Sequence, residues 1–209
     1  GISVAEKLVT SGLVKNPLDL FDLKTEQLSD MELEPAKLNS GAKSKPRRFG
    51  EKKALKLTGS IEKAKDLPLA RWIHALGIPN LGESASKECA RTHRSLDEIL
   101  KSSILELISE RWEKENWVKS NPIKSKNVQR GSASKIDIIQ QSKEFKSRIT
   151  EINERLEDYK ISSELGGVAC RSLIRYLNSD SGKSTLNKLQ DLNVSPKSAN
   201  YAPVPSLQE

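Results

Sequence analysis

One short phrase recurs along this chain: an apolar residue, a glycine, a few positions, then the start of an amphipathic helix. It reads Arg48-Phe49-Gly50-Glu51-Lys52-Lys53-Ala54, then Asn80-Leu81-Gly82-Glu83-Ser84-Ala85-Ser86, then Glu164-Leu165-Gly166-Gly167-Val168-Ala169-Cys170. A fourth, incomplete copy opens the chain at Gly1, with Ala5 and the run Glu6-Lys7-Leu8-Val9 behind it. A repeat on this scale names the architectural unit, which here is helix, tight hairpin, helix. The glycine is expected to turn the backbone at positive φ with little steric cost. The helix that follows then points unpaired N–H groups and the positive end of its dipole outward. That arrangement attracts phosphate without regard to base sequence.

The rest of the composition agrees with small helical units. Only 4% of the 209 residues are aromatic and 35% are apolar, so the core must be built from Leu, Ile, Val and Ala. The formal net charge is +7, which favours a polyanionic partner without identifying it. No run approaches the roughly 18 apolar residues that span a bilayer, and no signal pattern opens the chain. No membrane partner and a cytoplasmic location are therefore expected. Cys89 and Cys170 have no Cys or His at ligand spacing, so no metal site is expected, and both read as small buried residues in a reducing environment.

Helical periodicity organises the chain. Residues 4–11 form a helix closed by Gly12, Asn16-Pro17 starts a turn, and Thr25 or its neighbour caps a further helix. Glu34-Pro35 breaks the pattern, and residues 34–47, with Lys37, Lys43, Lys45, Arg47 and Arg48 in or beside them, read as an inserted loop. Glu51 to Ala64 is a helix with Ala54, Leu57 and Ile61 on one face. Pro68 opens another, with Leu69, Trp72, Ile73 and Leu76 as its apolar stripe. The hairpin Gly77 to Gly82 leads into a helix over 83–90, and Ser95 caps the next. Gly50 and Gly82 lie 32 residues apart but Gly82 and Gly166 lie 84 apart, so residues 101–159 read as an inserted arm. Its seam is Ile138, Phe145, Ile149, Ile152 and Leu156 facing Ile104, Leu105, Ile108 and Trp112, as two antiparallel helices. Lys119 to Lys135, with five basic residues and no acid, joins them; it is either a solvated loop or a further phosphate contact. Residues 196–209 carry three prolines and little that would pack, and read as a linker. The expected fold class is all-α. Residues 1–70 form one motif pair, residues 71–100 with 160–195 the other, and 101–159 the arm.

These residues resemble a family. Gly50-Glu51-Lys52-Lys53-Ala54 with Ser60 to Lys65, then Pro68-Leu69-Ala70-Arg71 and Ala75-Leu76-Gly77-Ile78, are similar to the helix-hairpin-helix domain of bacterial NAD-dependent DNA ligases. Leu81-Gly82-Glu83 fits that family's third hairpin, Ser11 to Lys15 with Asp19-Leu20 the segment after its first, and Ile161 to Leu173 its fourth. The resemblance covers most of 1–100 and 160–197. It implies tandem helix-hairpin-helix motifs in a pseudo-two-fold domain that straddles the minor groove of nicked duplex DNA. Two features depart from the pattern: the insertions at 34–47 and 101–160, and Arg48, Asn80 and Glu164 where the first hairpin glycine usually stands. Glu164 would repel phosphate, which leaves the fourth hairpin a weaker contact or a structural one. The family's Lys-x-Asp-Gly nucleophile phrase is absent, as are its strand-rich oligonucleotide-binding barrel and four-cysteine zinc finger. The chain is thus expected to be an excised piece of a ligase, inactive and cofactor-free by itself. NAD, Mg²⁺ and Zn²⁺ are implied only for the whole enzyme, and a monomer is expected. The implied partners within it are the adenylation, oligonucleotide-binding, zinc-finger and BRCT domains.

The candidate DNA contacts are Arg47, Arg48, Gly50, Lys52, Lys53, Asn80, Gly82, Ser84, Lys87, Gly166 and Arg171. Such contacts place a protein on duplex and carry little sequence information. No catalytic residue is assigned. Gly182-Lys183-Ser184-Thr185 imitates the end of a phosphate-binding loop, but the required first glycine is Leu177. His74 and His93 have no carboxylate, Ser or Cys partner at recognisable spacing, and His74 reads as a structural residue near an apolar stripe. Two other functions remain open: a stand-alone repair or junction-binding protein built from the same repeats, and a protein-interaction module whose arm recruits a partner.

Overall fold

The computed structural model describes residues 2–34, 38–39, 42–43, 46–123 and 133–202. Lys37 and Lys45, the stretch 124–132 of the basic loop, and residues 203–209 of the tail lie outside them. Helices dominate, and the few strands are two or three residues long. The chain divides into two compact units, residues 1–67 with 184–194, and residues 68–183 with 195–209.

In the first unit, α1 (Ile2–Thr10) ends at Gly12, whose φ of +72° turns the chain out of the helix. Gly12 N–H bonds back to the Val9 carbonyl and Val14 N–H to that of Leu8. A 3₁₀ turn, Pro17–Asp22, follows. The Asp19 carboxylate accepts the Lys15 and Asn16 N–H groups at 2.9 and 2.8 Å, and these bonds hold its carboxyl below the usual range. Helix α2 (Thr25–Asp30) leads to β1 (Glu32–Glu34), and α3 (Glu51–Ala64) follows β4 (Arg47–Arg48). Leu8, Val14, Leu28, Met31, Phe49 and Ala54 form the core.

The inserted loop is not wholly irregular. β1 pairs antiparallel with β4, setting Glu32 opposite Arg48 and Glu34 opposite Arg47, and β2 (Leu38–Asn39) pairs with β3 (Ala42–Lys43) inside it. Opposite charges facing across strands favour this ladder. Runs this short leave no readable alternation, which is why sequence periodicity missed them.

In the second unit, α4 (Leu69–Ala75) buries Leu69, Trp72 and Ile73, and α5 (Glu83–Thr92) packs against it. Ser95 caps α6 (Leu96–Leu100) and Ser102 caps α7 (Ser103–Ser120), each through its hydroxyl oxygen. The arm is α7 with α8 (Ala133–Leu156), and its chain reverses as the seam predicts. Arg148 forms a two-pronged bond to Glu110 at 2.9 and 3.0 Å, Arg111 reaches Asn153 at 3.0 Å, and Trp117 meets Phe145 edge to face at 5.0 Å.

The stem of α7 has a second partner that the seam does not announce. Helix α9 (Gly167–Asn178) packs along it, and a Cβ on Gly167 would lie 2.1 Å from the Trp112 Cβ. Helix α10 (Asp180–Asp191) follows after Ser179, whose hydroxyl accepts the Gly182 N–H at 3.1 Å. Gly182 is needed because a Cβ there would lie 2.0 Å from the Tyr176 carbonyl oxygen. Its resemblance to a phosphate loop therefore has a packing explanation.

Two further expectations change. Residues 184–194 pack with the first unit, where Leu189 and Val194 are buried and Lys188 pairs with Asp22, rather than with 71–100. The tail is not a free linker over residues 195–202. Lys197 accepts the Leu69 N–H at 2.8 Å and bridges Ser95, Ser198 N–H reaches the Arg94 carbonyl at 3.0 Å, and Ala202 N–H that of Arg91 at 3.0 Å. Backbone groups do this binding, which side-chain composition does not reveal.

Candidate nucleic-acid interface

The recurring glycines each end up at the same place, the residue preceding a helix. Gly50, Gly82 and Gly166 are the N-caps of α3, α5 and α9, and none of the three helix starts has a side-chain cap. Each glycine carbonyl accepts the first helical bond, from Ala54, Ser86 and Cys170 at 3.0 to 3.1 Å. The amides of the first turn are left for solvent or a ligand. Helices α6 and α7 are the contrast, since Ser95 and Ser102 close their first turns by accepting the Glu98 and Leu105 N–H groups.

The glycines differ in what the backbone demands. Gly50 has φ +86° and ψ 150°, a region essentially restricted to glycine, and the turn is pinned by Gly50 N–H to the Ser29 carbonyl at 3.1 Å. Gly82 and Gly166 instead have φ of −76° and −79°, which any residue adopts. The expectation of positive φ at every hairpin glycine therefore fails at these two. In the Gly82 hairpin the positive angles fall on Gly77 and on Asn80, at φ +63° and +65°. Asn tolerates that conformation better than most residues, so Asn80 does the turning the first glycine would do. A Cβ added to Gly82 or Gly166 would meet nothing within 4 Å, so packing does not demand glycine at either position.

The charged candidates divide into available and engaged groups. Lys52 and Lys53 are exposed on the first turn of α3 and, among the described residues, sit in no ion pair. Ser84 and Asn80 are exposed beside Gly82. Lys87 is exposed but bonds Glu83 at 2.9 Å, which holds the Glu83 carboxyl below its usual range. Arg47 pairs with Glu34 at 3.1 Å and Arg48 with Asp30 at 3.2 Å, both on the surface. Such pairs are worth about 0–1 kcal/mol, so phosphate can displace the carboxylates. Arg171 lies along the arm, 3.3 Å from Glu113 and over the Trp112 ring at 5.8 Å. Glu164 is exposed ahead of Gly166.

The sequence reading missed a network on α5. Arg91 donates to Glu88 at 2.9 and 2.8 Å, and its Nη2 also donates to the carbonyls of Tyr159 at 2.9 Å and Lys160 at 3.3 Å. Glu88 accepts the Ser162 N–H at 2.8 Å; the bond to Arg91 and then this one hold its carboxyl below the usual range. The partners lie about seventy residues away in sequence, so no local pattern signals them.

His93 also has a partner that spacing did not reveal. Its Nε2 lies 2.6 Å from the Ser102 hydroxyl, and its Nδ1 2.9 Å from the Cys89 carbonyl. A carbonyl only accepts, so Nδ1 carries the proton and Nε2 accepts from Ser102. Both residues are buried, and burial pushes the imidazole pKa down. They border a cavity of about 280 Å³ with Arg94, Lys101 and Tyr201. His74, beside the apolar stripe, is exposed. Cys89 and Cys170 are free and buried, and burial pushes both thiols far up, Cys170 to about 12. Among the described residues, no cluster of three or more His, Cys, Asp or Glu could hold a metal, and no helix is long and apolar enough to cross a membrane.

No protein-family model matches the chain. It is 34% identical over 218 residues to a protein named DNA ligase from Akkermansia muciniphila, a match that takes in 96% of this chain and 26% of that protein. It is 37% identical over 107 residues to DNA ligase 1 of Deinococcus deserti, covering 51% of this chain and 15% of the relative. The chain spans about a quarter or less of the length of these relatives, and it is related to a segment of proteins named DNA ligase.

Proposed function

We propose that this chain is the helix-hairpin-helix segment of an NAD-dependent DNA ligase, and that it grips the phosphate backbone of nicked duplex DNA without reading sequence. The observation that carries the proposal is the set of three glycine-started, uncapped helix N-termini at Gly50, Gly82 and Gly166, beside serine-capped helices in the same chain. At Gly82 and Gly166 neither backbone angle nor packing calls for glycine, and beyond glycine's own N-cap preference over most residues a closely approaching ligand supplies a physical reason for it. Amides without a helical partner at the positive end of a helix dipole attract an anion. Lys52 and Lys53 add charge at Gly50, and a net charge of +7 suits a polyanion. The similarity to proteins named DNA ligase supports DNA as that polyanion.

Binding places the rest of the enzyme on the nick. The parent reaction, joining a 5′-phosphate to a 3′-hydroxyl after lysine adenylation from NAD with Mg²⁺, belongs to domains outside this chain. Arg171 is the weakest member of the proposed contact set, because Glu113 and Trp112 already occupy it.

The test is binding to nicked duplex, intact duplex and single strand across a salt series. Duplex should be preferred, and log affinity should fall with log salt by about 0.9 per phosphate contacted. Weak, salt-insensitive association would move the reading to a protein-interaction module.

A further inference from the structure

The start of α9 is held from two sides. On one side Gly167 lies so close to α7 that a Cβ would collide with Trp112. On the other, Glu88 and Arg91 of α5 bind the backbone just before the Gly166 hairpin. Arg91 takes the carbonyls of Tyr159 and Lys160, and Glu88 takes the Ser162 N–H. Lys160 turns the chain there at φ +45°, and Leu165 N–H to the Ser162 carbonyl at 3.1 Å closes the last turn into Gly166. The helix that carries this pair is the one that begins at Gly82. One ion pair therefore ties the Gly82 helix to the approach of the Gly166 helix.

The pair is not an ordinary surface salt bridge. The side chain of Glu88 is 10% exposed and that of Arg91 26%. Each also bonds backbone groups of the 159–162 segment, Arg91 through Nη2 and Glu88 through Oε1. Removing either partner leaves the other half-buried and unmatched.

We propose that Glu88 and Arg91 are positioning residues that hold the Gly82 and Gly166 helix starts at one spacing, so that the two grip a single DNA duplex as a two-point clip. This rests on the reading of both starts as phosphate contacts. Two linked contacts bind far more tightly than either alone, provided their geometry lets both engage at once. If the spacing is lost, the second contact stops contributing even though its amides are intact. In the clip the fourth hairpin contributes despite Glu164 and the diverted Arg171, because fixed amides need no side-chain help.

Nicked-duplex affinity and its salt slope test this in the whole 209-residue chain. The variants are Arg91→Lys, which keeps the charge but loses the fork, and Glu88→Gln, which keeps a Ser162 acceptor but weakens the hold on Arg91. Gly82→Ala and Gly166→Ala are measured alone and combined with each. Both positioning variants should lose about the same affinity as Gly166→Ala, roughly tenfold or more, with the same drop in salt slope of about 0.9 per lost phosphate. Adding Gly166→Ala to Arg91→Lys should then cost nothing further, whereas adding Gly82→Ala should still cost its full share. A generally loosened fold would not produce that pattern. The clip is overturned if the Arg91→Lys and Glu88→Gln variants bind as the unmodified chain does, or if their effects add to that of Gly166→Ala. If neither glycine variant changes binding, the phosphate reading fails and the clip fails with it. If both glycine variants weaken binding and the positioning variants do not, the clip alone fails.

Discussion

Replacing Gly82 with alanine separates binding from folding more cleanly than any other single change. Its φ of −76° suits alanine, and the added methyl meets nothing within 4 Å. Two small effects on stability oppose each other. Alanine is a poorer N-cap than glycine, by several tenths of a kcal/mol. It also reduces the freedom of the unfolded chain, which stabilises by about 0.4–1 kcal/mol. The net change should stay within about 0.5 kcal/mol, which moves the melting temperature by no more than about 2 °C in a chain of this size. On the DNA side the methyl stands where a phosphate oxygen would meet the amides of Glu83 to Ala85. Losing one charge-assisted hydrogen bond costs about 1.5–3 kcal/mol, or about 10- to 100-fold in affinity. Fluorescence anisotropy with nicked duplex, alongside thermal melting of the same samples, reads both. An unchanged dissociation constant and salt slope in a folded Gly82→Ala variant would refute the reasoning that this glycine exists to admit a phosphate.

Gly50→Ala should behave in the opposite way, because φ +86° strains any side chain; a loss of about 1–3 kcal/mol and a lower melting temperature are expected. Gly167→Ala should destabilise by about 1–3 kcal/mol by forcing α9 away from α7, and Trp112→Ala should not rescue it, since the nearest atom is the Trp112 Cβ, which alanine keeps; differential scanning calorimetry of both variants checks this. Burial depresses the His93 pKa, so the folded state favours the neutral ring. That contribution is fully present above the unfolded value of about 6.5 and is lost as pH falls through the folded one; melting temperatures across that range should drop more in the unmodified chain than in His93→Gln. Cys89 and Cys170 should react with a thiol reagent at neutral pH only after denaturant unfolds the chain, because burial raises both thiol pKa values.

Helices whose signals are local were legible in the sequence. Glu51–Ala64 is found with the bounds its period predicts, and Gly12, Ser95 and the Leu69–Trp72–Ile73 stripe play the parts assigned to them. Helix α7 was legible as the antiparallel partner of α8, although the contacts run through Glu110, Arg111 and Trp117 and the assigned Trp112 meets α9 instead. Its packing against α9 was not, because the contact between Gly167 and Trp112 joins residues 55 positions apart and depends on the absence of a side chain. The candidate interface was legible as glycines and lysines but not as geometry. Positive φ was expected at Gly82 and Gly166, whereas Asn80 makes the turn in one hairpin and an ordinary extended cap suffices in the other. Ion pairs at Arg47, Arg48 and Arg171 were hidden because their carboxylates come from other elements. Backbone bonding hid the order of 195–202 in the same way, since nothing in Ser-Pro-Lys-Ser-Ala-Asn reports which carbonyls it will meet.

On the proposed reading, glycine-started helix N-termini hold DNA phosphates. Amide chemical-shift mapping of this 23.2 kDa chain during titration with nicked duplex tests it most directly. The amides of Glu51–Lys53, Glu83–Ala85 and Gly167–Ala169 should shift together, at one stoichiometry, while those of Ser103–Leu105 behind the Ser102 cap stay in place. Shifts confined to the arm, or spread equally over serine-capped and glycine-started helices, would contradict the account.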